Sequence, residues 1–197
     1  FSNNTAKSNG GAVYWNGANG SLSSSNFINN AAKWSGGVHW LGANGTLSGS
    51  TFTGNVASEY GGGVRWDGAN GTLISSTFTN NHAKSAAGGV DWVGANGTLI
   101  SSTFTNNTSG VGGGVFWYVS GAMIDCIFTN NKWVKSNGIY TNGNLTINGG
   151  KGIADIVTLS TLSGISIVVL NNETYYYPPD TNINLTKKKK NMPYQNI

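Results

Sequence analysis

The chain has 197 residues, of which 38% are hydrophobic, only 9% are charged and 30 are glycine. Its net charge of +4 comes from the run Lys187 to Lys190, because the other seven basic residues balance the seven acids. That composition excludes the long Leu-, Glu- and Lys-rich stretches of a helical protein and a basic nucleic-acid face. It also holds no run of the roughly 18 apolar residues that a membrane-spanning helix needs.

In chain order, the first feature is a phrase that recurs. Phe1-Ser2-Asn3-Asn4 matches Phe27-Ile28-Asn29-Asn30, and phenylalanine returns at 52, 78, 104 and 128. Tryptophan falls at 15, 40, 66, 92 and 117, so both series step by 24 to 26 residues. A period of this size marks a solenoid, in which one repeat buries its apolar face only by stacking on its neighbours. The clearest copy runs from Gly61 to Asn81. It reads Val-x-Trp, then Gly-Ala-Asn-Gly, then Thr-Leu-x-x-Ser-x-Phe-Thr-Asn-Asn. These are short period-2 runs of β-branched and aromatic residues punctuated by Gly and Asn turns.

The pattern predicts an all-β, right-handed parallel β-helix with about 25 residues and three short strands per coil, the handedness following the general rule for parallel crossovers. Coils would rise by the ordinary strand spacing of about 4.8 Å. Later in the chain, Trp117 to Gly121 drops one turn residue, and a sixth coil is eroded, with Thr141 in place of the Trp. Residues 1–150 are therefore read as repeats, and 151–186 as irregular β coils or a cap. The cap segment contains strands at Ile156–Leu162, Ile165–Leu170 and Tyr175–Tyr177, stopped by Pro178 and Pro179. Residues 187–197 read as a solvated basic tail. Cys126 has no partner for a disulfide and takes the place of Ser76 and Ser102 as a small tucked-in residue. With no signal peptide and no initiator Met, the chain is expected to be a processed product or a piece of a longer one.

Strand parity sorts the columns. In Gly-Gly-Val-x-Trp, Val and Trp share a face, and the residue between them points the opposite way. That intervening column is Tyr14, His39, Arg65, Asp91 and Phe116. A dry interior accepts no such mixture, so it is expected to form an outward stripe and is the candidate binding surface. Trp15, Trp40, Trp66, Trp92 and Trp117 then form a buried stacked ladder, with each Gly pair letting backbone pass close to the indoles. The second Asn of each phrase, at Asn4, Asn30, Asn55, Asn81, Asn107 and Asn131, is expected to pass amide hydrogen bonds up the stack.

Phe-x-x-Asn and Gly-Gly-[Ala/Gly]-Val resemble the repeat motifs of chlamydial polymorphic outer-membrane proteins. The Asn- and Thr-rich wording and the tail Asn-Glu-Thr-Tyr-Tyr-Tyr-Pro-Pro resemble the adhesin-like surface proteins of methanogenic archaea. The likeness covers residues 1–150 well and 151–186 more loosely. Gly36-Gly37-Val38 lacks the small third residue, and Val stands where the family often has Ile. The resemblance implies a right-handed β-helix displayed at a cell surface, with no catalytic residue and no cofactor.

Parallel β-helices also host polysaccharide lyases and hydrolases, which need paired carboxylates or an acidic calcium cluster. Here only Asp67 and Asp91 are placed to meet, on adjacent coils beside Arg65, and a surface salt bridge explains them. No metal site is expected. Asn-x-[Ser/Thr] acceptors occur at ten asparagines. Asn144, Asn172 and Asn184 are the isolated candidates for glycosylation, while Asn44, Asn70 and Asn96 sit in Asn-Gly turns that account for their presence. The expected function is an extracellular, cell-surface adhesin-like protein or rigid spacer, non-catalytic, binding glycans or proteins of a host or neighbouring cell. The alternative is a filament subunit that stacks head to tail through an open first coil.

Overall fold

A computed structural model describes residues 1–133, 139–141 and 145–148, and the backbone of strands at 157–159, 166–170, 173–177 and 182–183. The described residues contain no helix. Strands from successive coils pair in parallel to form a β-solenoid of about five regular coils, each of roughly 25 residues.

Each coil contributes four strands where the sequence pattern suggested three. The third coil is representative: Val64–Trp66, Thr72–Ile74, Thr77–Thr79 and His82–Ala86. Equivalent strands build four sheets, named here for their inward residues as the tryptophan, leucine, phenylalanine and alanine sheets. The extra strand follows from parity. Leu73 and Phe78 both point inward, yet they are five residues apart, an odd number that no straight strand allows. The backbone bends between them at Ser75, which has φ of +50°. The same happens between Phe78 and Ala83, where Asn80 takes φ of +55°. Asn and Ser bear this left-handed conformation at the corners because a short polar side chain tolerates it better than a bulky one.

The lumen is filled by columns of like residues. Trp40, Trp66, Trp92 and Trp117 are wholly buried, and Trp15 is partly covered. Adjacent indoles stack 4.8 to 5.0 Å apart and within 6° of parallel. The phenylalanines stack in the same way, 4.6 to 5.0 Å apart. In the sixth coil Thr141 registers against Trp117 and is buried in its place.

Beside the rings runs the asparagine column. Asn81 shows its chemistry. Its Oδ1 accepts from both the backbone N–H and the Nδ2 of Asn55, and its own Nδ2 donates to Asn107 Oδ1 and to the Phe52 carbonyl. All four polar valences of a fully buried amide are thereby satisfied, and the pattern repeats along Asn30, Asn55, Asn107 and Asn131.

The glycines act differently from the sequence expectation. The pair before each Val does not face the indoles. A Cβ on Gly62 would lie 2.4 Å from the Gly88 carbonyl oxygen, and one on Gly63 would meet the Phe78 ring at 2.8 Å. The glycine that passes the indole is the one ending the Gly-Ala-Asn-Gly turn: a Cβ on Gly71 would lie 2.3 Å from Trp66 Nε1.

Within the first five coils, length varies at two places. The alanine-sheet strands Val56–Tyr60 and His82–Ala86 carry one residue more than Ala31–Trp34 and Thr108–Val111, and register shifts there. The other is the turn after Trp117. Beyond the fifth coil, Val157–Leu159 and Ser166–Leu170 continue the tryptophan and leucine sheets in parallel. Glu173–Tyr177 returns antiparallel, so the C-terminal segment leaves the solenoid rule within the leucine sheet. The tail from Lys187 to Lys190 lies outside the described residues.

Two substitutions test this packing by urea denaturation. Trp66→Ala should cost about 3–5 kcal/mol, the range for emptying a large core site. Gly71→Ala, ordinarily a mild change, should cost about 1–3 kcal/mol here because the methyl has no room beside the indole. An unchanged midpoint for either would show that the indoles do not fill the lumen.

Candidate functional site

The outward column of the tryptophan sheet lies in a furrow. One bank is the last residue of the alanine-sheet strand before each corner, Trp34 and then Tyr60. The other is the residue that follows each Trp, including Asp67 and Tyr118. The column itself stands in unbroken register, Tyr14 to His39 to Arg65 to Asp91 to Phe116.

It points away from the lumen, as parity requires, but it is not an exposed stripe. Tyr14 is 49% exposed, whereas His39, Asp91 and Phe116 are 2%, 0% and 6% exposed. Two causes explain this burial. The banks overhang the furrow: Trp34 meets His39 edge to face, and Ala86, Val111 and Tyr118 pack against Phe116. In addition, the charges neutralise one another and so need less water.

Arg65 is the hub of that neutralisation. Its Nη1 donates to Asp91 Oδ2 at 2.7 Å, its Nη2 lies 3.1 Å from Asp67 Oδ1, and its Nε donates to Asp67 Oδ2 at 3.3 Å. His39 Nε2 shares Asp67 Oδ2 at 2.7 Å. The guanidinium also lies over the rings of Trp34 and Tyr60, 5.6 and 5.3 Å from their centroids. Trp34 in turn donates its indole N–H to Glu59, which pairs with Lys33. Asp67 and Asp91 thus do meet beside Arg65, but in a partly to wholly buried network rather than the expected surface bridge.

Burial governs Asp91. Desolvation pushes its pKa up to about 7 against the opposing pull of Arg65, and its Oδ1 makes no hydrogen bond. Asp67 is more open, and the hydrogen bond from His39 and the charge of Arg65 hold its carboxyl below the usual range despite its own desolvation. Tyr118 is pushed up to about 12, chiefly by burial. Both carboxylates are thus engaged by one arginine, with no separate acid and base facing an open cleft. Among the described residues no group of three or more His, Cys, Asp or Glu side chains could hold a metal ion.

Trp34, Tyr60, Glu59 and Tyr118 belong to the furrow and were not singled out from sequence. Their signal was position rather than identity: each bank is a column whose residues differ from coil to coil. The other sequence-derived candidates are placed as follows. Asn44, Asn70 and Asn96 stand exposed on corners with φ of +55° to +56°, and Nδ2 of each donates to Oδ1 of the Asn one coil before, at 3.1 to 3.2 Å. Asn144, Asn172 and Asn184 lie outside the described residues. Cys126 is buried, its thiol donating to the Ile124 and Leu99 carbonyls, and burial pushes it up to about 11.

A family model of the Chlamydia polymorphic membrane protein repeat matches residues 1–14 and 101–117. Each stretch holds one Phe-x-x-Asn and one Gly-Gly-x-Val, the phrases that form the phenylalanine stack, the asparagine ladder and the crossing into the tryptophan sheet. No curated protein and no solved structure matches the chain.

The network predicts an unusual pH profile. Because folding raises the Asp91 pKa from 3.8 to about 7, the folded state holds a proton that the unfolded chain has lost over that interval. Stability therefore falls as pH rises from about 4 to 7 and levels off above. Asp67 and Glu59, shifted the opposite way, remove stability as pH drops below their ordinary range. Urea midpoints should thus peak near pH 4–5, and Asp91→Asn should flatten the fall toward neutrality. A midpoint that rises steadily from pH 5 to 8 would contradict this. Arg65→Ala should cost about 3–5 kcal/mol at pH 8, where it strands a buried carboxylate, and less at pH 5.

Proposed function

We propose that the protein is a surface-displayed, adhesin-like β-solenoid: a rigid, non-catalytic shaft that engages its partner through the outer wall. The carrying observation is the match of the Chlamydia polymorphic membrane protein repeat on phrases that here build five registered coils. Repeats of that family point to an exposed protein at a cell surface. Support for a shaft comes from the ladders, which run without a break from Phe1 to Phe128 and leave variation to the outside.

The partner is expected among glycans or proteins of a host or neighbouring cell. The accessible parts of the furrow are the Tyr14 ring and the flanks of Trp34 and Tyr60, amphipathic surfaces of the kind that recognition sites favour. Arg65 is a poor probe of this role, since it stabilises the wall. Purified protein on beads should bind a glycan array or a cell monolayer, and Tyr14→Ala with Trp34→Ala should reduce capture severalfold when compared at a temperature where circular dichroism shows both proteins folded. Equal capture by the double variant would remove the furrow from the binding surface, and no capture by the wild type would leave the spacer role alone.

A further inference from the structure

Among the described residues, half of the solenoid wall is nearly free of charge. On the phenylalanine sheet the two residues flanking each buried ring face solvent, and through the three middle coils all six are threonine: Thr51 and Thr53, Thr77 and Thr79, Thr103 and Thr105. The series closes with Thr129 beside Ile127, and begins with Asn26 and Ile28. On the adjoining leucine sheet Thr46, Thr72 and Thr98 form a third column. Lys33, Glu59, Lys84 and Lys132 lie on the alanine sheet and Arg65 on the tryptophan sheet, and Asp125 at a corner is the exception.

Strand propensity alone does not produce this. The alanine sheet is under the same β preference, yet one of its outward columns reads Val56, His82, Thr108, Lys132. An ordinary surface intersperses both signs of charge. The hydroxyls are also uncommitted. Thr108 bonds to His82 at 2.9 Å, whereas none of the seven threonine hydroxyls of the phenylalanine sheet bonds to a described residue.

The array is regular in two directions. The rings beneath it stand 4.6 to 4.8 Å apart and within 9° of parallel, so successive threonine pairs repeat with little rotation. Along each strand the two threonines are two residues apart, about 6.6 Å. Each supplies a methyl group and a hydroxyl able to donate and to accept. A surface that is flat, uncharged and doubly periodic complements a partner with the same properties. The spacing between coils is close to the shorter repeat of oxygen atoms on a prism face of hexagonal ice, and the spacing along the strand falls a little short of the longer one.

We propose that this threonine face binds ice, holding ranks of water between its columns in ice-like positions. The reading stands independently of surface display, although an ice-binding wall on a displayed shaft would make the protein an adhesin for ice. The test uses the 197-residue chain, dye-labelled on its lysines, of which Lys33, Lys84 and Lys132 lie on the alanine sheet, away from the face. It should be taken up into a slowly growing ice hemisphere, should shape single ice crystals into facets and should inhibit recrystallisation. Thr51→Lys with Thr103→Lys, two coils apart so that the ammonium groups do not stack on each other, should raise the concentration needed for inhibition about tenfold or more by placing bulk and charge on the lattice plane, with the circular dichroism of the folded protein retained. Lys84→Ala, on another sheet, should act as wild type. Exclusion of the wild-type protein from ice, or a double variant as active as wild type, would overturn the proposal. So would a concentration-dependent dimer abolished by the double variant, which would assign the face to a second copy.

Discussion

One rise per coil constrains everything in this molecule. Parallel backbone pairing fixes that rise at the strand spacing, and every side chain must then meet its counterpart in the next coil at the same separation. Few groups pack well against copies of themselves there. Flat rings do, by stacking with an offset, and so does a primary amide, which carries donors and acceptors that mate with an identical neighbour. A charged group does not. The lumen accordingly holds Trp, Phe, Leu, Val and Asn in columns, whereas in the furrow the ionisable groups change from coil to coil, so that Arg65 meets both Asp67 and Asp91 and His39 meets Asp67.

Legibility in the sequence tracked this rule. Wherever the lattice demands the same residue in each coil, the sequence repeats it, and the period, the facing of the tryptophans and the asparagine column could be read at once. The count of strands could not, because Thr72 to Phe78 looks like one alternating run unless the odd interval between Leu73 and Phe78 is taken as proof of a bend. The roles of the glycines are hard to read for a related reason: both the pair before Val and the glycine before Thr approach something closely, and only the folded coil decides which approaches the indole. Burial of the furrow was least legible. It depends on overhang by Trp34 and Tyr60 from a column that changes to Ala86 and Val111, so no repeated letter announced it.

The same rule separates family from function. The matched phrases belong to the lumen and the corners, positions any coil of this kind must fill in much the same way. They identify an architecture and leave the walls unspecified. Whatever distinguishes this chain from others built on the same phrases lies in outward positions: the mixed furrow on one side, the hydroxyl columns on another. The first varies from coil to coil and the second hardly at all, and these are opposite demands placed on one scaffold.

Because length differences among the first five coils are confined to the last strand and one turn, each of these coils is an interchangeable unit bonded only to those above and below it. Under tension this has a mechanical meaning. A folded coil adds about 4.8 Å to the axis, whereas its roughly 25 residues, once pulled free, extend to about 80–90 Å. A solenoid tethered at both ends would therefore lengthen by yielding coils singly from an end, each release letting out many times the length that the coil occupied. Such a shaft would limit the peak force on whatever it joins, and the loose coil would find, in the exposed rings and amides of the one remaining, the template on which to wind back.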